Sequence, residues 1–112
     1  MKKVFAVPTQ SGMLSSHFGH CETFTLIETE DNAIVKESAV EPPAHQPGVY
    51  PKFLAEQGVN VIIAGGMGYN AQQLFAQNNI EVCIGVAEAT PKALVEQYLQ
   101  SVLKTGENLC DH

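Results

Sequence analysis

The sequence predicts an α/β domain: a mixed five-stranded sheet with helices on both faces. Three observations lead there. Val61–Ala64 is a continuous apolar run, as a parallel strand covered on both faces requires. Thr23–Thr29 alternates and is rich in Thr, Phe and Ile, and a turn joins it to Ala33–Val40 as a hairpin. Leu94, Val95, Tyr98, Leu99, Val102 and Leu103 recur at helical spacing. Hairpin strands first and helix–strand alternation later make a mixed sheet.

The elements follow in order. Lys3–Val7 reads as a short buried strand, and Pro8 to about Cys21 as a long polar loop. Glu30-Asp31-Asn32 supplies the hairpin turn, since Asn tolerates left-handed backbone angles. Glu41–Gly48 holds three prolines, which forbid regular structure. Tyr50–Gln57 is helical, with Pro51 in its first turn and Gly58 as its stop. Gly65-Gly66-Met67-Gly68 follows the Val61–Ala64 strand, and Asn70–Gln77 is a helix burying Ala71, Leu74 and Phe75. Ile80–Val86 is the next buried strand. Thr90 caps the last helix, Pro91 takes its first position, and Gly106 ends it. The order over residues 1–112, a single domain, is β-β-β-α-β-α-β-α, which is that of ribonuclease H-like folds. A nuclease of that fold needs a carboxylate on its first strand. Val4-Phe5-Ala6-Val7 carries none, which excludes nuclease activity.

Composition narrows the function further. The chain has 112 residues, enough for a core without disulfides or metal. Twelve acidic residues face six lysines, with no arginine, for a net charge of −6. No basic stripe exists for nucleic acid, and bidentate arginine clamping of phosphate is impossible. No apolar run approaches the roughly 20 residues of a membrane span. After Lys2 and Lys3 only Val4–Pro8 is apolar, too short for a signal peptide, so a cytoplasmic location is expected. Three cysteines are an odd, low count, which is not a disulfide framework.

Strand directions gather the candidate chemistry. If the first strand points up, the loops Pro8–Cys21, Glu41–Gly48 and Gly65–Gly68 all leave the same carboxyl edge, where open α/β sheets bind ligands. The first loop holds His17, His20 and Cys21, and the second holds His45. Imidazoles and a thiol this close suit iron, copper or zinc; the alternative is a turn-capping His and a core Cys. Gly65, Gly66, Met67 and Gly68 lie between a strand and a helix. They offer backbone N–H groups to an anion, or simply a tight turn with positive φ, with Met67 as plain packing. Gly66-x-Gly68-x-x-Ala71 with Glu88, 22 residues beyond Gly66, also matches a dinucleotide fingerprint. That pattern belongs on the first strand of a doubly wound unit, and here it follows hairpin strands. A nucleotide or small-anion regulatory module is therefore the alternative function.

Cys83 reads as an inert core thiol. Cys110-Asp111-His112 is a second soft pair. A final helix running down to Gly106 leaves it at the opposite edge. Four residues reach about 13 Å, against roughly 17 Å for a strand. It is expected to be a frayed end, separately functional, or a contribution to a neighbouring subunit.

Ser16-His17-Phe18-Gly19-His20-Cys21-Glu22, Gly65-Gly66-Met67-Gly68 with Asn70-Ala71, Ile80-Glu81-Val82 and Thr105–His112 together resemble the dinitrogenase iron–molybdenum cofactor biosynthesis family. The likeness covers nearly the whole chain and is closest to small stand-alone members, the orange protein group. It implies a ribonuclease H-like fold without nuclease chemistry. It further implies a non-catalytic carrier, not an enzyme, for an iron–sulfur or heterometallic (molybdenum, iron, copper) sulfide cluster. The implied partners are metallocluster assembly proteins, with the chain a monomer or weak homo-oligomer.

Overall fold

The computed structural model describes residues 2–15, 21–43 and 49–106. Its elements are β1 (Lys2–Gln10), β2 (Met13–Leu14), β3 (Thr23–Glu30), β4 (Ala33–Val40), α1 (Val49–Glu56), β5 (Val61–Ile63), α2 (Tyr69–Gln77), β6 (Glu81–Cys83) and α3 (Pro91–Leu99). The sheet runs β4-β3-β1-β5-β6, with β2 added to β1. It is mixed: β3 is antiparallel to β1 and β4, while β5 and β6 run parallel to β1.

Among the described residues the sheet therefore has six strands where five are expected. The addition is β2, inside the stretch read as a polar loop. The first strand continues through Pro8 to Gln10 and turns over Ser11-Gly12, with Gln10 opposite Met13. Both turn residues have positive φ, 53° and 80°, the two-residue geometry that suits a twisted hairpin. Pro8 is tolerated because N–H and C=O of one strand residue point to the same side. Its carbonyl accepts from Ser15 N–H, so its missing donor falls where pairing passes from β5 to β2.

Alternation along β1 divides the core. Val4 and Ala6 pack with Leu54 of α1 and Phe75 of α2 on one face. Phe5 and Val7 pack with Leu94 and Val95 of α3 on the other. Helices thus cover both faces. The short strands β5 and β6 are held by parallel pairing, Val61 to Glu81 through Ile63 to Cys83.

Among the described residues α1, α2 and α3 all stop the same way. A residue with positive φ stands just beyond the cap: Gly58 (82°), Asn79 (61°) and Ser101 (62°). In each, the next N–H reaches back to the carbonyl five residues earlier: Val59 to Leu54, Ile80 to Phe75, Val102 to Gln97. The last stop overturns an expectation. α3 ends at Leu99, not at Gly106. Leu103 still packs against the α3-side core, but from chain that has left the helix. Gly106 N–H donates to Ile84 O at 3.2 Å, so the chain has climbed back to the end of β6. Gly106 lies at the carboxyl edge rather than the opposite one.

Candidate functional site

β1, β4, β5 and β6 share one direction, so their carboxyl ends share one edge. The segments after these strands, and the start of β3, gather there. The sequence placed three loops on this edge; the loop after β6 is a fourth. It is tied to the rest by hydrogen bonds: Gly85 N–H to Gly65 O at 3.0 Å, and Leu14 N–H to Ala89 O at 2.9 Å.

Cys21 sits just before β3, half-buried, with its flank on the core beside Phe24 and Tyr50. Glu22 N–H donates to Thr9 O at 2.9 Å, which pins this segment to the end of β1. Below it, the Thr9 and Thr25 hydroxyls share a hydrogen bond of 2.8 Å. Burial pushes the Cys21 thiol up to about 11, so near neutral pH it carries its proton. A thiophilic metal would displace that proton on binding. Tyr50 is also raised, by burial and then by the neighbouring Cys21.

The glycine loop lies at the end of β5, on the other side of β1. Two strand spacings separate it from Cys21, about 10 Å. Gly65 and Gly66 are buried and Gly68 is exposed. Met67 is 1% exposed, and its side chain belongs to the core. Its backbone carbonyl accepts from the Gln72 side chain at 2.9 Å.

The positive-φ explanation of this loop fails: among the described glycines only Gly12, Gly58 and Gly85 have positive φ. Gly68 has φ −61° and ψ 154° and caps α2 without a side chain. A Cβ there would meet nothing within 4 Å. The first turn of α2 holds no acidic residue. The start of this helix thus has no side-chain cap hydrogen bond, and its capping position has room for a side chain.

His17, His20 and His45 lie outside the described residues. Among the described residues no three His, Cys, Asp or Glu side chains form a metal-holding group. Cys83 is buried on β6, as the sequence suggests, and its thiol faces Glu81 at 3.7 Å. No helix among the described residues is long and apolar enough to cross a membrane.

A mixed sheet with helices on both faces and one loop-rich carboxyl edge defines a small α/β class. Within it the chain is specific. Residues 1–101 match the family model described as "Dinitrogenase iron-molybdenum cofactor", and the chain belongs to that family. Membership connects it with iron–molybdenum cofactor or metallocluster biosynthesis or binding. An uncharacterized protein of Methanocaldococcus jannaschii is 35% identical over 82 residues, 69% of this chain and 70% of the relative. Among solved structures, PH0822 superposes with TM-score 0.87 at 22% identity, covering 97% of this chain and 99% of that one. The apo orange protein of Desulfovibrio gigas gives 0.79 at 19% identity, covering 95% and 94%. These two likenesses establish the fold.

Proposed function

We propose that the protein is a non-catalytic carrier for an anionic metal–sulfide cluster, iron–sulfur or heterometallic, exchanged with metallocluster assembly proteins. One observation carries this reading. The acid-free start of α2, without a side-chain cap hydrogen bond and with room at Gly68, shares an edge with the Cys21 thiol. A compact anion needs donors on one side, and a soft metal needs a sulfur or imidazole ligand on the other. Backbone N–H groups of the Gly65–Gly68 loop would provide the first. Cys21 would provide the second, joined by His17, His20 and His45 of the neighbouring segments. Few ligands on loops suit transfer better than a closed four-cysteine cage would. The family membership supports the cargo class, and the orange protein likeness supports the same scaffold.

The ribonuclease H-like reading of the fold belongs to this proposal. Setting the short β2 aside, three antiparallel strands precede two parallel ones, which supports it. Val4–Val7 of β1 has no carboxylate, so the carrier reading asks for no nuclease chemistry. The nucleotide alternative gains nothing from the loop, which follows β5 rather than β1.

Anaerobic reconstitution tests the proposal, with ferrous iron and sulfide in one arm and tetrathiomolybdate with copper(I) in the other. The expected result is a visible chromophore that survives desalting and fades in a His17→Ala, His20→Ala, Cys21→Ala triple variant. No uptake in either arm, or uptake unchanged by the triple variant, overturns it. Thermal stabilisation by nucleotides but by neither metal mixture would favour the alternative.

A further inference from the structure

We propose that two copies of the chain pair reversibly through the outward face of α2, and that loading with an anionic guest opposes the pairing. The pairing stands on the structure alone; its link to loading rests on the carrier reading.

Charge is missing from one part of the chain. From Gln57 to Ile80 no residue is charged, although the chain holds twelve acidic residues and six lysines. α2 lies inside this run. Its inner side is set by buried Phe75, with Ala71 and Leu74 partly covered. Tyr69, Asn70, Gln73, Ala76 and Gln77 are exposed, Tyr69 by 71%. At 3.6 residues per turn these five fall within an arc of about 120°. Gln73 stands at the centre of that arc and at the middle of Tyr69–Gln77.

These side chains fit a second copy of the same chain. A two-fold contact must be complementary to itself. A face of one charge fails, because like meets like across the axis. Amides pass, since each carries both donors and an acceptor. With Gln73 on the axis, two antiparallel α2 helices set Gln73 against its own copy. Tyr69 of each chain then meets Gln77 of the other, phenol against amide. Two chains at −6 repel at long range, and this face adds no charge of its own at contact. A helix face about 14 Å long and about 10 Å wide is small. Stable complexes bury roughly 800 Å² per partner, so this pairing is weak and reversible.

The antiparallel arrangement places the start of each α2 beside the end of the other. The start carries the positive end of the helix dipole and the end the negative one, so empty chains attract there. A guest over Gly68 reverses the sign, setting an anion next to the carbonyl end of the second copy. Loaded copies therefore separate, and by linkage pairing weakens loading by the same factor.

Sedimentation equilibrium of the reduced, cargo-free full chain tests the pairing. It is expected to show a monomer–dimer equilibrium with Kd below about 1 mM. Gln73→Glu and Gln73→Lys each put like charges on the axis and should each raise Kd at least roughly tenfold. An equimolar mixture of the two should pair again, because opposite charges then meet. Both residues are good helix formers at an exposed position, so each variant keeps the fold. Gln100→Glu, exposed just beyond α3, should leave the equilibrium unchanged. No dimer in the wild type, weakening by only one of the two charges, no recovery in the mixture, or equal weakening by Gln100→Glu overturns the pairing. Loading with tetrathiomolybdate and copper(I) should then raise the wild-type Kd at least roughly tenfold. A loaded chain that pairs as tightly as the empty one, or more tightly, overturns the link to loading alone. No uptake by the wild type overturns the carrier reading and that link together, while the cargo-free equilibrium still decides the pairing.

Discussion

At Gly68 the backbone is extended, and a side chain would meet no atom. A capping residue there would satisfy the first turn of α2, and Asp or Ser caps a helix better than Gly by a few tenths of a kcal/mol. Gly68→Asp should therefore raise stability in urea by about 0.5 kcal/mol, the helix dipole adding to the cap. The same substitution puts a carboxylate where the anionic guest would sit, so cluster uptake should fall while Gly68→Ala retains most of it. An Asp variant that binds cargo as well as the wild type would remove the α2 terminus from the site. The glycine run is legible in the sequence as special; of the two reasons the sequence offers, an anion site or a tight left-handed turn, the backbone angles remove the second. Cys21 was legible as a candidate ligand. That its thiol is half sunk beside Tyr50, and so holds its proton, depends on packing between β3 and α1 that spacing cannot reveal.

Strands and helices show where pattern reading fails. The Ser11-Gly12 turn was hidden because Pro8 marks a strand's end by local rules, whereas here its missing N–H falls at a change of partner. α3 was read too long because Val102 and Leu103 continue the apolar spacing. Leu103 does face the same core, but from chain beyond the helix, and Ser101 adopts the left-handed stop that glycine usually provides. The α3–β6 contact also sets a pH response. Tyr98 of α3 donates to Glu81 of β6 at 3.0 Å, and the Cys83 thiol faces the other carboxylate oxygen. Burial, then Glu81, pushes Cys83 up to about 11 and Tyr98 up to about 12. Both are neutral acids whose proton is held more tightly in the folded state. Their contribution is complete below the unfolded values, about 8.5 for a thiol and 10 for a phenol. It is lost as pH rises through the folded values. Thermal melts should show Tm falling from about pH 9 upward, with a smaller fall in Tyr98→Phe. A Tm flat to pH 11 would mean that the α3–β6 contact does not hold these protons.

For the whole molecule, topology was the most legible property. Two hairpin strands followed by alternating helices fix the strand directions, and directions alone bring the segments after β1, β4 and β5 to one edge. The return of the chain after α3 was not legible, since it depends on a single left-handed serine. Charge acts at the same scale. The chain carries −6 overall, and a metal–sulfide cluster or thiometallate is itself an anion. At long range the two repel, and only within the site do backbone donors and soft ligands take over. Raising salt from about 10 mM to about 150 mM shortens the Debye length from about 30 to about 8 Å, which screens the repulsion more than the close contacts. The association rate of tetrathiomolybdate with the copper-loaded chain should therefore rise with salt, by roughly threefold or more over that range. Stopped-flow absorbance measures it directly. A rate that falls with salt would mean that a local positive field, rather than ligand contact at the edge, draws the cargo in.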